Sequence, residues 1–160
     1  MKAAVLTVSD GVARGEREDT SGAVLADLLA GEGYEVLRDV VPDEWTEIAG
    51  ALGRLAGSAS LVLTTGGTGM APRDVTPEAT ADVLDRSAPG IAEAIRADAV
   101  SRTPHGLLSR GVAGTIGSAL VVNLPGSPGA CRDGFAVLRP ALSHALALLR
   151  EASGTAHRQT

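Results

Sequence analysis

LVLTTGGTGMAPRDVTPEAT, Leu61 to Thr80, decides the fold. Leu61–Thr65 is a short apolar and β-branched run of the kind that forms a buried strand. It runs straight into Gly66, Gly67, Thr68 and Gly69. Thr76-Pro77-Glu78 then reads as a helix start, with Thr76 as N-cap and Pro77 at the first helical position. Strand, glycine turn and helix in that order form the repeating unit of an α/β sheet.

The same alternation extends in both directions. Upstream, Lys2–Val8 and Tyr34–Val41 read as strands and Glu44–Gly57 as a helix. Between the two strands, Thr20 or Ser21 is the expected cap of a helix whose Val24, Leu25, Leu28 and Leu29 follow helical spacing. Gly31 and Gly33 end it. Downstream, Pro77–Arg86 and Pro89–Val100 are expected helices, Ala119–Leu124 a strongly apolar strand, and Gly129–Ala152 a long final helix. The stretch 101–117 is weaker, and Leu107-Leu108 and Val112-Ala113, broken by glycines, predict a short irregular strand or hairpin. The expectation is one α/β domain with a mostly parallel sheet over 1–152, followed by a polar tail over 153–160.

Composition narrows the function classes. With 44% hydrophobic and 21% charged residues the chain is globular rather than disordered. A net charge of −5 and an aromatic content of 2% offer neither the basic face nor the stacking platform of a nucleic-acid binder. No apolar run approaches the roughly 20 residues that span a bilayer. The N-terminus reads as a core strand rather than a signal peptide, so the cytoplasm is the expected compartment. Cys131 is the only cysteine, which excludes a disulfide framework and a multi-cysteine metal site; a buried structural thiol is expected. Lys2 is the only lysine, so no lysine-dependent phosphate loop exists.

In parallel α/β sheets ligands gather beyond the carboxyl ends of the strands. Three loops there are unusual. After Leu61–Thr65, Gly66, Gly67 and Gly69 allow positive φ and close approach, and their amides either cradle an anion or simply make a tight turn. Arg73 suits phosphate oxygens, and Asp74 either holds Mg²⁺ or caps a local turn and pairs with Arg73. After Ala119–Leu124, Pro125-Gly126-Ser127-Pro128 makes a second glycine turn at a helix start. After Lys2–Val8, a polar run from Ser9 and Asp10 to Gly22 exceeds the usual length of about 2–6 residues and is expected to be mobile and ligand-covering. Asp43, after the second strand, either caps the next helix or adds a second acidic group beside a metal.

TVSDG (7–11), EDTSG (18–22), TTGGTGMAPRDVTPEAT (64–80), LLSRGVAG (107–114) and VVNLPGSPGA (121–130) occur in the order found in the molybdenum cofactor biosynthesis family that contains MogA, MoaB and the G domains of plant and animal homologues. The chain resembles that family from about Met1 to Arg150. The resemblance implies a three-layer α/β/α, Rossmann-like fold and a molybdopterin adenylyltransferase, which joins molybdopterin to the adenylyl group of ATP with Mg²⁺ and releases pyrophosphate. It implies catalytic, metal-holding roles for Asp74 and Asp43. Thr65, Gly66, Gly67, Thr68, Gly69, Arg73, Ser9 and Asp10 fall on the nucleotide side, and Ser109, Arg110, Pro125, Gly126 and Ser127 on the molybdopterin side. A homotrimer serving a downstream molybdenum-insertion protein is implied as well. The family also holds MoaB-type members, so a molybdopterin-binding or carrier protein without transferase activity is the alternative. His105, His144 and His157 lack metal-ligand spacing and are expected to be structural or solvent-facing.

Overall fold

The computed structural model describes residues 1–156. Its elements are β1 (Lys2–Val8), α1 (Asp10–Ala13), α2 (Thr20–Gly31), β2 (Glu35–Val41), α3 (Trp45–Ala56), β3 (Leu61–Thr65), α4 (Thr76–Val83), β4 (Arg86–Ser87), α5 (Pro89–Arg102), a 3-10 turn (Pro104–Leu108), β5 (Ala113–Ile116), β6 (Ala119–Leu124) and α6 (Pro128–Ala156). The final helix thus runs past Ala152, where a tail was expected. Residues 157–160, His157 among them, lie outside the described residues.

Six strands form one sheet in the order β2-β1-β3-β6-β5-β4. The first four are mutually parallel, and β5 and β4 close the far edge antiparallel. Strands buried on both faces need apolar residues at every position, and VLTV in β1, LVLTT in β3 and ALVVNL in β6 supply them. Alternate residues split between two cores. Ala3, Val5, Leu61, Leu63 and Val122 pack with Leu25 and Leu29 of α2, Ile95 of α5 and the apolar face of α6. Ala4, Leu6, Val62 and Val121 pack with Ile48 and Leu52 of α3 and Ala79 of α4. The result is a three-layer α/β/α sandwich. Truncating a fully buried leucine such as Leu63 to alanine costs about 2–5 kcal/mol, so both layers hold the sheet firmly.

Local details differ from the sequence expectation for identifiable reasons. The polar segment after β1 folds back at once as α1, with the Ser9 hydroxyl accepting from the Val12 amide at 3.3 Å. Asp19, rather than Thr20 or Ser21, caps α2, because its carboxylate reaches the Gly22 amide at 2.9 Å. Thr76 lies inside α4, with Val75 at the cap position, and its hydroxyl donates to the Gly66 carbonyl instead. Helix α4 stops at Val83 because Asp85 N donates to Thr115 O and draws Arg86 into β4.

Candidate active site

Parallel register brings three strand ends to one edge: Thr7 lies beside Thr65, and Thr65 beside Leu124. The chain leaves β1 for β2 on one side and enters β3 on the other, so this edge is the topological switch point of the sheet.

The turn after β3 requires glycine twice. Gly66 (φ +97°) and Gly67 (φ +67°) both adopt left-handed backbone. A Cβ on Gly66 would overlap the Val8 carbonyl oxygen, and one on Gly67 would overlap Thr76 Oγ1 and lie 3.2 Å from Asp43 Oδ1. The turn after β6 abuts it. Thr65 Oγ1 donates to Pro125 O at 2.8 Å, and a Cβ on Gly126 would lie 3.3 Å from Gly66 Cα. Cys131 anchors this second turn from below: it is buried, its sulfur donates to Pro125 O at 3.2 Å, and burial pushes its thiol pKa up. Ser127 Oγ accepts from the Ala130 amide at 3.2 Å, the cap expected for the last helix.

Two cavities open along the joined turns. The smaller, about 190 Å³, is polar and lies between Thr7–Ser9, Arg17–Ser21, Asp43 and Thr65–Gly67. The larger, about 500 Å³, is bounded by Gly67–Gly69, Ala99, Leu108, Ser109, Pro125, Ser127 and Ala130. Gly67, Asp74 and Gly126 line both. A two-part ligand, one end highly charged and the other flatter and less polar, matches this pair of spaces.

Asp43 and Asp74 both line the polar cavity. The Asp43 backbone NH donates to Asp10 Oδ1 at 3.0 Å, and Asp43 Oδ2 accepts from the Asp10 amide at 2.8 Å. Burial pushes the Asp43 carboxyl above its ordinary pKa, and the negative charges of Asp10 and Asp74 add to the rise. Asp74 Oδ2 accepts from the Ala71 amide at 2.9 Å, so the expected turn-capping contact is present. Among the described residues no group of three or more His, Cys, Asp or Glu side chains is placed to enclose a metal. Two hard carboxylates from separate loops suit instead a Mg²⁺ that takes its other ligands from phosphate and water.

Twelve of the fifteen site residues singled out in the sequence line these cavities: Ser9, Asp43, Thr65, Gly66, Gly67, Thr68, Gly69, Asp74, Ser109, Pro125, Gly126 and Ser127. Asp10, Arg73 and Arg110 do not line either cavity. The Arg73 guanidinium grips Asp10 at 2.6 and 3.0 Å and Glu44 at 2.8 Å. That grip holds the Asp10 carboxyl down at about 2. Arg110 donates to Gly69 O at 2.8 Å, to Asp74 O at 2.6 Å and to the Glu78 carboxylate. The cation that does line the polar cavity is Arg17, which composition and spacing did not single out. Asp19 was missed as well; it accepts from Thr7 Oγ1 at 2.9 Å and Arg38 at 2.7 Å while capping α2. His105 borders the larger cavity.

Similarity to known proteins follows this geometry. The family described as a probable molybdopterin binding domain matches residues 4–144. The crystal structure of a molybdopterin biosynthesis enzyme, MoaB from Thermus thermophilus, superimposes with a TM-score of 0.86 at 47% identity, covering 92% of this chain and 95% of that one. A molybdopterin adenylyltransferase of Helicobacter pylori is 35% identical over 150 residues, 91% of this chain and 85% of that one. The molybdenum cofactor synthesis protein cinnamon of Drosophila melanogaster is 40% identical over 150 residues, and this chain spans only 25% of its length. With the family match running through nearly every element from β1 to α6, the chain belongs to the MogA/MoaB family of molybdenum cofactor biosynthesis.

Proposed function

We propose that the chain is a molybdopterin adenylyltransferase, with molybdopterin and ATP as substrates and Mg²⁺ as cofactor. One observation carries the reading: a polar and a less polar cavity meet at Gly67, Asp74 and Gly126, where two ligands at the same sheet edge would touch. The adenylyltransferases among its relatives support it.

The reaction asks for positioning rather than covalent machinery. An oxygen of molybdopterin's terminal phosphate forms a bond to the α-phosphorus of ATP, the α–β bridging bond breaks, and pyrophosphate leaves. A phosphate monoester has a second pKa of about 6, so the nucleophile is ionised at neutral pH and no general base is required. The obstacle is repulsion between anions. Mg²⁺ held by Asp43 and Asp74 would supply charge neutralisation where the phosphates meet. The Gly66 amide donates to Leu124 O at 3.3 Å, so the amides of Gly67, Thr68 and Gly69 are the ones left to bind negative charge. Arg17 adds a positive group at the polar end. Ser109 and the Pro125–Ser127 turn hold the pterin in the larger cavity, which fixes its phosphate at Gly126. A homotrimer working in the cytoplasm and handing its product to a molybdenum-insertion protein completes the proposal. Sedimentation of the purified chain tests the trimer.

Incubating the protein with molybdopterin, ATP and Mg²⁺ tests the reaction. Pyrophosphate released in proportion to adenylyl-molybdopterin supports it. Tight molybdopterin binding without pyrophosphate would instead identify a carrier.

A further inference from the structure

Arg110 connects the two halves of the site, and its bonds run in one direction. Its backbone amide donates to Thr68 O at 2.9 Å, and its Nε donates to Gly69 O at 2.8 Å. Its Nη2 donates to Asp74 O at 2.6 Å, and its Nη1 donates to Glu78 Oε1. Every one of these partners lies on the β3–α4 segment, while its neighbour Ser109 lines the larger cavity. Burial pushes the Glu78 carboxyl up, but the hydrogen bond and charge of Arg110 bring it below its ordinary value. Glu78 is therefore an ionised partner that fixes the guanidinium plane. Its second oxygen, Oε2, is buried without a hydrogen-bond partner, so Arg110 is the side chain on which this carboxylate depends.

We propose that Arg110 is a positioning residue for adenylyl transfer, holding the Gly69–Asp74 loop so that the Asp74 carboxylate stands at the junction of the two cavities. Only a planar fork spans two separate carbonyls 2.6–2.8 Å away and a carboxylate at once; a lysine ammonium reaches one or two acceptors. A second consequence follows from position. The 3-10 turn and Ser109 border the molybdopterin cavity, so a ligand that orders this segment also orders Asp74 through Arg110.

This inference rests on the adenylyltransferase reading, and its test separates the two. Arg110→Lys, Arg110→Met and Glu78→Gln are compared with the unaltered protein by three measurements: pyrophosphate release under saturating molybdopterin and MgATP, Mn²⁺ affinity in the presence of ATP by electron paramagnetic resonance, and anaerobic molybdopterin binding. Groups that orient a metal ligand typically change affinity or activity by about 10- to 100-fold. The expected result is a loss of that size in kcat and in Mn²⁺ affinity for Arg110→Met. Arg110→Lys and Glu78→Gln should show smaller losses, and molybdopterin affinity should stay within about twofold throughout. Weakened molybdopterin binding with unchanged kcat and Mn²⁺ affinity would make Arg110 a direct pterin ligand and overturn the proposal. So would unchanged values in all three measurements in a folded Arg110→Met protein. Should the unaltered protein release no pyrophosphate, the enzymatic reading fails alone, because the Mn²⁺ and molybdopterin arms still test whether Arg110 positions Asp74.

Discussion

Asn123→Ala tests how the core supports the site. Asn123 is 4% exposed near the end of β6. Its Nδ2 donates to Thr64 Oγ1 and Thr80 Oγ1, both at 3.0 Å, and its Oδ1 accepts from the Val112 amide at 3.1 Å. Thr80 Oγ1 in turn donates to Thr76 O at 2.7 Å, and Thr76 Oγ1 donates to Gly66 O at 2.9 Å. One side chain thus joins β6, β3 and α4 beneath the glycine turn. Alanine removes three neutral hydrogen bonds at about 1 kcal/mol net each and leaves the fully buried Thr64 hydroxyl unsatisfied, worth about 1–3 kcal/mol more. Part of that sum is recovered, since Val112 is half-exposed and water can replace its acceptor. The expected loss is about 3–5 kcal/mol in urea unfolding, or roughly 10 °C in Tm for a domain of this size. The asymmetry is the sharper check. Asn123→Leu combined with Thr64→Val removes both partners, and should cost clearly less than the sum of the single substitutions. A single-mutant loss below about 1 kcal/mol, or strict additivity in the pair, refutes the reasoning, since neither is compatible with a fully desolvated network.

Other expectations can be checked with the same protein preparation. Gly66→Ala, at φ +97° against the Val8 carbonyl, should destabilise the fold and weaken ATP binding more than Gly129→Ala, whose added Cβ meets nothing within 4 Å. Asp74→Asn should fold with the stability of the unaltered protein and bind molybdopterin, yet lose Mg²⁺-dependent pyrophosphate release; full activity in that variant would remove Asp74 from the chemistry. Asp43 has a raised folded-state pKa, so its contribution to stability is present below its unfolded pKa and is lost as pH rises through the folded value. Asp43→Asn should therefore resist urea better than the unaltered, metal-free protein at pH 7, and the gap should close as pH falls. The opposite sign holds for Asp10, whose stabilising contribution is lost only as pH falls toward about 2. Mg²⁺ affinity should accordingly weaken as pH falls through the folded value of Asp43, measured as a rise in the half-saturating Mg²⁺ concentration.

The central strands were legible because burial on both faces leaves an unmistakable record. LVLTT and ALVVNL have no polar face to present to solvent, so each has to sit inside a parallel sheet. Once those strands are parallel, their glycine turns share an edge, and Gly67, Asp74 and Ser127 come together as a consequence of topology. The antiparallel edge was harder. β4 is two residues long and β5 four, too short for any period to show. The functions of the arginines were hidden for another reason. Arg73 meets Asp10 across 63 residues and Arg110 meets Gly69 across 41, and a sequence records charge but not which distant carbonyl or carboxylate it satisfies. The buried Cys131, in contrast, was readable from residue type alone.

A crystal structure of the protein with molybdopterin, Mg²⁺ and a non-hydrolysable ATP analogue tests the account most directly. The predicted result is nucleotide phosphates on the Gly67–Gly69 amides, the pterin between Ser109 and Ser127, and a Mg²⁺ touching both Asp43 and Asp74. Phosphates or pterin bound away from this sheet edge, or a cation held by neither carboxylate, would contradict it.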